Sequence, residues 1–214
     1  YGDAPFIIVP PVSNSDGSFT YTSSDTNVIS ISGNTATIVG AGYSTISAYQ
    51  DPSGSYTRGF ISTWFNVQKA SPNLRNFGAI VKSLADGSFI VTPPDTDNPG
   101  SSFQYSRASG SAVTNTSYSA NFTIVSGGNA TITATQLESV NFTSESITTT
   151  VTITPIDPTS TYSDFTRPFS IGGFAIPPPT TNSDGTFTYT SSDTSVVTIS
   201  GASATILKTG TSII

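Results

Sequence analysis

Apolar and polar residues alternate at period two along much of the chain. Phe19, Tyr21 and Ser23 fall on one face of an extended segment, with Thr20 and Thr22 on the other. Further short segments of the same kind begin at Val28 (VISIS), Thr35 (TATIV) and Ser44 (STISAY). Each is about five residues long, an ordinary strand length. Turn-forming clusters separate them: Asn14-Ser15-Asp16-Gly17, Ser32-Gly33-Asn34, Gly40-Ala41-Gly42 and Asp51-Pro52-Ser53-Gly54. Short strands punctuated in this way predict an all-β sandwich. The β-branched and aromatic content agrees, whereas Glu occurs only at Glu138 and Glu145 and Lys only at Lys69, Lys82 and Lys208. A helical protein would need many more such residues on its solvated faces.

The pattern repeats. The stretch opening at Phe6 recurs at Phe174 without a gap, an offset of 168 (174 − 6), with NSDG, FTYTSSDT and ISG in register. A more diverged copy opens at Phe89. Tyr21, Tyr105 and Tyr189 then correspond, and STISAYQ ending at Gln50 matches ATITATQ ending at Gln136. The unit is about 84 residues, a usual size for one sandwich. The expected copies are residues 1–71, 72–157 and 158–214, joined end to end by short links near Ser71-Pro72 and Asp157-Pro158. In this frame Tyr1 matches Leu84, so the first copy is expected to lack its opening strand, and the third to stop within a strand at Ile214. The expectation is a window on a longer array, with the middle copy complete. Pro10-Pro11, Pro93-Pro94 and Pro177 to Pro179 recur at one position, which must lie at an edge or leave the sheet. Gly42, Gly128 and Gly210 also recur, predicting a turn conformation that a Cβ would penalise. Tyr21, Tyr105 and Tyr189 are the expected core aromatics, since no disulfide helps hold the copies together.

The stretch from Phe19 to Gln50 resembles the bacterial Ig-like domain family, group 2, found in intimin- and invasin-type adhesins. Tyr21, Ser23-Ser24-Asp25, Val28, Ile31, Gly33, Gly42 and Ile46 carry the likeness, and Tyr189, Ser191-Ser192-Asp193, Val196, Ile199 and Gly201 carry it again. The opening Tyr1 to Phe6 is similar to the start of such repeats. The resemblance implies tandem immunoglobulin-like β-sandwiches acting as spacers in adhesins, secreted hydrolases or virion fibres. Departures are a Tyr where that family often has Trp, and a middle copy with Arg107-Ala108-Ser109 in place of Ser-Ser-Asp and extra residues before Val113.

Composition then narrows the chemistry. The chain has no Cys and no His, a net charge of −6 and 9% charged residues. Thiolate metal sites and histidine-based catalysis are excluded. Clustered Lys and Arg, the footprint of nucleic-acid binding, are missing. No apolar run approaches a membrane span. The aspartates sit in turn contexts such as Asp16-Gly17, Asp86-Gly87 and Asp184-Gly185, where Asp bonds its own backbone. No enzyme activity and no cofactor are therefore expected. Asp95 and Asp97, in Asp95-Thr96-Asp97-Asn98, are the candidate calcium ligands, with Asp157 as a possible third. The plainer reading is a loop replacing the Asn-Ser-Asp-Gly turn. Asn115, Asn121, Asn129 and Asn141 head glycosylation sequons, which a Ser/Thr-rich chain also produces by chance. Trp64 would offer a sugar-stacking ring if exposed, but core or inter-domain packing is the favoured expectation.

These features point to a stalk or fibre segment on a cell or virion surface, carrying an adhesive tip. The alternative is a glycan-binding or spacer module of a secreted hydrolase or adhesin. Neighbouring repeats are the expected partners, with a host-surface glycan or protein, or other fibre or capsid subunits, beyond them.

Overall fold

A computed structural model describes residues 1–170 and 172–214. Apart from one 3₁₀ turn, its regular elements are strands, and the chain forms two compact units, Tyr1–Pro155 and Ile156–Ile214.

The first unit holds two sandwiches. The first is built from β1 (Phe6–Ile7), β2 (Phe19–Ser23), β3 (Ile29–Ser32), β4 (Thr35–Ile38), β5 (Gly42–Gln50) and β6 (Gly59–Val67). One sheet has the order β1-β4-β3 and the other β2-β5-β6, all pairs antiparallel. Alternation places Ser44, Ile46, Ala48 and Gln50 of β5 inward. Ile29, Ala36 and Ile46 form the buried centre, with Phe6 and Phe65 packed against it.

The second sandwich follows with β7 (Ile80–Ser83), a capped 3₁₀ turn (Leu84–Asp86), β8 (Ser88–Ile90), β9 (Phe103–Gly110), β10 (Val113–Thr114), β11 (Asn121–Ile124), β12 (Gly128–Gln136) and β13 (Glu145–Thr154). Its sheets have the orders β10-β11-β8 and β7-β13-β12-β9. Strand β7 runs parallel to β13, pairing Ile80 with Val151 through Ser83 with Thr154. Among the described residues no strand pairs with the outer edge of β6. The second core is larger, and Phe122, Ile132 and Val151 are wholly buried in it.

The second unit contains β14 (Ser160–Thr161), β15 (Gly173–Ala175), β16 (Thr180–Thr181), β17 (Val197–Ser200) and β18 (Ser203–Ile206). Its sheets are β15-β18-β17 and the pair β14-β16. Ile176, Val196, Val197 and Ala204 are buried together.

The registers repeat across both units: Phe6 faces Ala36, Phe89 faces Phe122, and Phe174 faces Ala204. The first two sandwiches fill the same volume differently. Phe6 stacks on Phe65 of β6 at 5.5 Å between ring centroids, whereas Phe89 stacks on Phe122 of β11 at 5.9 Å. The partner of Phe65 in the second register is Val151, and that of Ala36 is Phe122. One large ring has moved from one sheet to the other, keeping the packing dense.

The recurring prolines lie outside the strands. Gly42 and Gly128 have positive φ, +146° and +125°. Gly210 serves a different need: a Cβ there would approach the Val196 side chain at 2.9 Å.

Candidate functional surfaces

Three features stand out: a serine clasp, a buried glutamine beneath each loop before β2 and β9, and a pair of contrasting sheet faces. The Ser-Ser-Asp turn is structural. Ser44, 2% exposed, places its Oγ 2.8 Å from that of Ser23 and accepts the Asp25 N–H at 3.2 Å. Ser24 Oγ accepts the Thr45 N–H, and Asp25 Oδ1 accepts the Asn27 N–H. The second unit reproduces this around Ser212: Ser191 Oγ lies 2.8 Å away, the Asp193 N–H donates at 3.1 Å, and Ser192 Oγ accepts the Ile213 N–H. In the second sandwich Ala130 takes the place of Ser44 while Arg107-Ala108-Ser109 replaces the turn. Strand β9 runs on to Gly110 with a bulge opposite Thr131 and Ile132. Both halves of the clasp are thus lost together.

Gln50 and Gln136 close the inner faces of β5 and β12. Gln50 Nε2 donates to Ser15 O and Gly17 O, both at 2.9 Å. Gln136 Nε2 donates to Asn98 O at 2.7 Å, and Thr96 Oγ1 donates to its Oε1. This anchors the Asp95–Asn98 loop. Asp97 accepts from Asn73 Nδ2 at 2.8 Å and pairs with Arg75 at 2.8 Å, and Asp95 accepts from Asn76 Nδ2 at 2.7 Å. The Asn73 amide and then the Arg75 guanidinium hold Asp97 below the ordinary carboxylate range. The loop therefore spends both candidate calcium ligands on donors from residues 73–76. Asp157 belongs to the second unit. Among the described residues no three His, Cys, Asp or Glu side chains converge as a metal site would need. Asp16 is held low by Ser53, and Asp86 caps the Ser83 N–H at 2.9 Å.

Tyr105 is buried, 4% exposed, whereas Tyr21 and Tyr189 are half-buried. Among the described residues the Tyr105 hydroxyl has no hydrogen-bond partner, and burial pushes its phenol up. Phe122, which the sequence reading missed, is the largest fully buried side chain among the described residues; the alternation of Asn121–Ile124 is the signal that could have found it. Of the sequon residues, Asn121 and Asn129 are exposed. Asn115 Nδ2 is engaged by Tyr105 O and Ser119 O, and Asn141 Oδ1 accepts the Ala41 N–H at 2.8 Å.

Trp64 corrects the expectation of core packing: it is 80% exposed. It stands on the outer face of the β2-β5-β6 sheet, where β5 contributes Tyr43 and Tyr49 and β6 contributes Phe60. Tyr43 is 70% and Phe60 62% exposed. Tyr49 and Phe60 are 5.0 Å apart by centroid, and the Arg58 guanidinium lies over Tyr49 at 4.8 Å. Thr45, Ser47 and Ser62 lie between the two aromatic groups. The corresponding face of the second sandwich is Thr131, Thr133 and Thr135 of β12 opposite Thr150, Thr148 and Ser146 of β13. The fold does not require the rings.

Residues 68–73 are tied to the second sandwich. The Ala70 N–H donates to Asn141 O at 3.0 Å, and the Thr143 N–H to Ala70 O at 2.9 Å. Lys69 Nζ pairs with Glu138 and donates to Ser139 O. The Tyr1 ring meets Phe142 edge-on at 5.4 Å. In the second unit a hollow of about 660 Å³ is lined by Phe165, Phe174, Val197, Ile206 and Ile213, among others. Among the described residues no helix is long and apolar enough to cross a membrane.

No family model and no curated protein matches the chain. Solved structures similar to it include Drosophila N-cadherin EC1-3, at 10% identity and a TM-score of 0.33, covering 72% of this chain and 62% of that one. Human protocadherin-24 EC1-2 matches at 14% identity and a TM-score of 0.30, over 69% and 86% of the two chains. A SusE-like surface-located polysaccharide-binding protein of Bacteroides thetaiotaomicron matches at 12% identity and 0.29, over 63% and 29%. The chain thus spans less than two thirds of the N-cadherin fragment, and these distant likenesses leave function to be argued from its own surfaces.

Proposed function

We propose that the chain is a structural segment of an extracellular protein displayed on a cell or virion surface, a stalk or fibre whose sandwiches space and orient an attachment function. The junction between the first two sandwiches carries this reading. A flexible linker would leave residues 68–73 unbonded, but here backbone bonds, an ion pair and an aromatic contact fix the segment. Repeat arrays gain stiffness through such nearest-neighbour contacts. Trypsin tests it at Lys69. The intact protein resists cleavage after Lys69, and Glu138→Ala with Asn141→Ala accelerates it. Cleavage of the wild type there as fast as after the exposed Arg58 would contradict the stiff junction.

A second reading draws on the aromatic face. Exposed rings flanking a hydroxyl-lined strip suit carbohydrate, whose C–H faces stack on aromatics while its hydroxyls bond the strip. An exposed apolar patch of this kind marks an interaction site. Affinity electrophoresis through a panel of polysaccharides tests it. Retardation that Trp64→Ala abolishes and Thr150→Ala leaves intact supports carbohydrate binding. Equal mobility of wild type and Trp64→Ala in every gel contradicts it. Trp64→Ala itself shifts stability by no more than about 0.5 kcal/mol, as for an exposed site.

A further inference from the structure

The aromatic face of the first sandwich has two ends of different chemistry. Phe60 and Trp64 stand on one side of β6, four residues apart, about 13 Å at the rise of an extended strand. The Phe60 end also carries a cation. Arg58 is exposed, and its guanidinium lies 4.8 Å from the centre of the Tyr49 ring, a contact that holds it beside the rings. Residues 1–71 contain two basic side chains, Arg58 and Lys69, and Lys69 is paired with Glu138. Among the described residues Arg58 makes no ion pair. Asp51, which follows β5 at the same end, accepts the Ser18 hydroxyl at 2.8 Å. The whole chain has 13 Asp and Glu against 7 Lys and Arg, yet no outward residue of β2, β5 or β6 is acidic. An anion laid on this face therefore meets one cation and no like charge, whereas most of the surface would repel it.

We infer that this face takes an acidic polysaccharide in extended form, lying along β6. One sugar stacks at Tyr49 and Phe60, another at Trp64, and the hydroxyls of the units between them bond Thr45, Ser47 and Ser62. A carboxylate or sulfate ester at the first end is received by Arg58, whose planar fork of N–H donors matches either group. A single sugar is too short to reach both ring groups, so the ligand is a chain of several units. The inference rests on the carbohydrate reading of this face and adds to it the charge and the length of the ligand. Trp64 and Arg58 stand at opposite ends, so each reports on a different part of the bound chain.

The probes are matched polysaccharide pairs titrated against the full chain at low salt: polygalacturonate with its methyl ester, and cellulose sulfate with hydroxyethylcellulose. The first pair tests a carboxylate and the second a sulfate. In at least one pair the acidic member should bind about fivefold more tightly than its neutral twin, the scale of an exposed ion pair. Arg58→Gln should erase that difference. Lys82→Gln, which changes the net charge equally but lies in the second sandwich, should keep it. Trp64→Ala should weaken both members of the pair, and monomeric galacturonate should not compete. If the neutral twins bind as tightly as the acidic ones and Trp64→Ala weakens both, the carbohydrate reading stands and this inference is overturned. If neither pair binds, both are overturned. The inference also fails if Arg58→Gln and Lys82→Gln behave alike, or if the monomer competes as well as the polymer.

Discussion

The first two sandwiches share their cross-strand registers and, apart from the added β7, their strand order, yet three further differences run between them. One carries the serine clasp, the other Ala130 with a continued β9. One stacks Phe6 on Phe65, the other Phe89 on Phe122. One exposes Trp64, Tyr43 and Phe60, the other a field of threonines. The first two differences are compensated within the fold. The third has no compensating partner, because nothing in the sandwich packs against that face. Compensated differences report how a core is kept full, and an uncompensated one marks where a surface has been put to use.

The core exchange gives the largest expected effect. Phe122→Ala should destabilise by about 3–5 kcal/mol, as for other buried aromatic truncations. Adding Val151→Phe restores the ring on the opposite sheet, where the first sandwich has Phe65, and should recover more than about 1 kcal/mol. Urea denaturation of the single and double variants decides it, and strict additivity would break the comparison. Next comes the clasp. Ser44→Ala strips the buried acceptor from the Asp25 N–H and should lower stability by about 1–2 kcal/mol. Ala130→Ser, opposite Gly110 and with no Ser-Ser-Asp turn to meet, should gain nothing. A gain there would mean that the clasp does not need both halves.

The unpaired Tyr105 hydroxyl gives a smaller effect of opposite sign. Tyr105→Phe removes a buried polar atom without a partner and should raise stability by about 1 kcal/mol. A loss would show that the hydroxyl is satisfied. The smallest effect is electrostatic. Asp97 titrates below the ordinary carboxylate range because the Asn73 amide and then Arg75 favour the carboxylate. Its contribution is therefore present above the unfolded pKa and fades as pH falls through the lower folded value. Asp97→Asn should therefore lower stability slightly at neutral pH, since the pair is solvent-exposed, and the difference from wild type should vanish as pH falls below about 4.

Much of this was legible in the sequence. Period-two alternation located β2, β3, β4 and β5, and the recurring Gly42 and Gly128 correctly announced backbone that a Cβ resists. Pairing was less legible. The identical stretches 19–26 and 187–194, FTYTSSDT, behave differently: the first forms β2 against β5, while residues 187–191 have no strand pairing among the described residues. Their turns nevertheless close alike, because the clasp needs only a serine 21 residues on, Ser44 or Ser212. Local sequence encodes the turn; a strand also needs its neighbour. Trp64 was misread for a related reason. Which face of β6 looks outward is set by the packing of Phe65 on Phe6, remote in sequence, and not by the local residues around Trp64.

The central claim is that the first two sandwiches form one stiff segment. Residual dipolar couplings of backbone amides in β5 and β12 test it most directly. The account predicts that a single alignment tensor fits both strands in the wild type, and that Glu138→Ala with Asn141→Ala splits it into two. Two independent tensors in the wild type would contradict the account, because the bonds around Lys69 and Ala70 would then not hold the sandwiches together in solution.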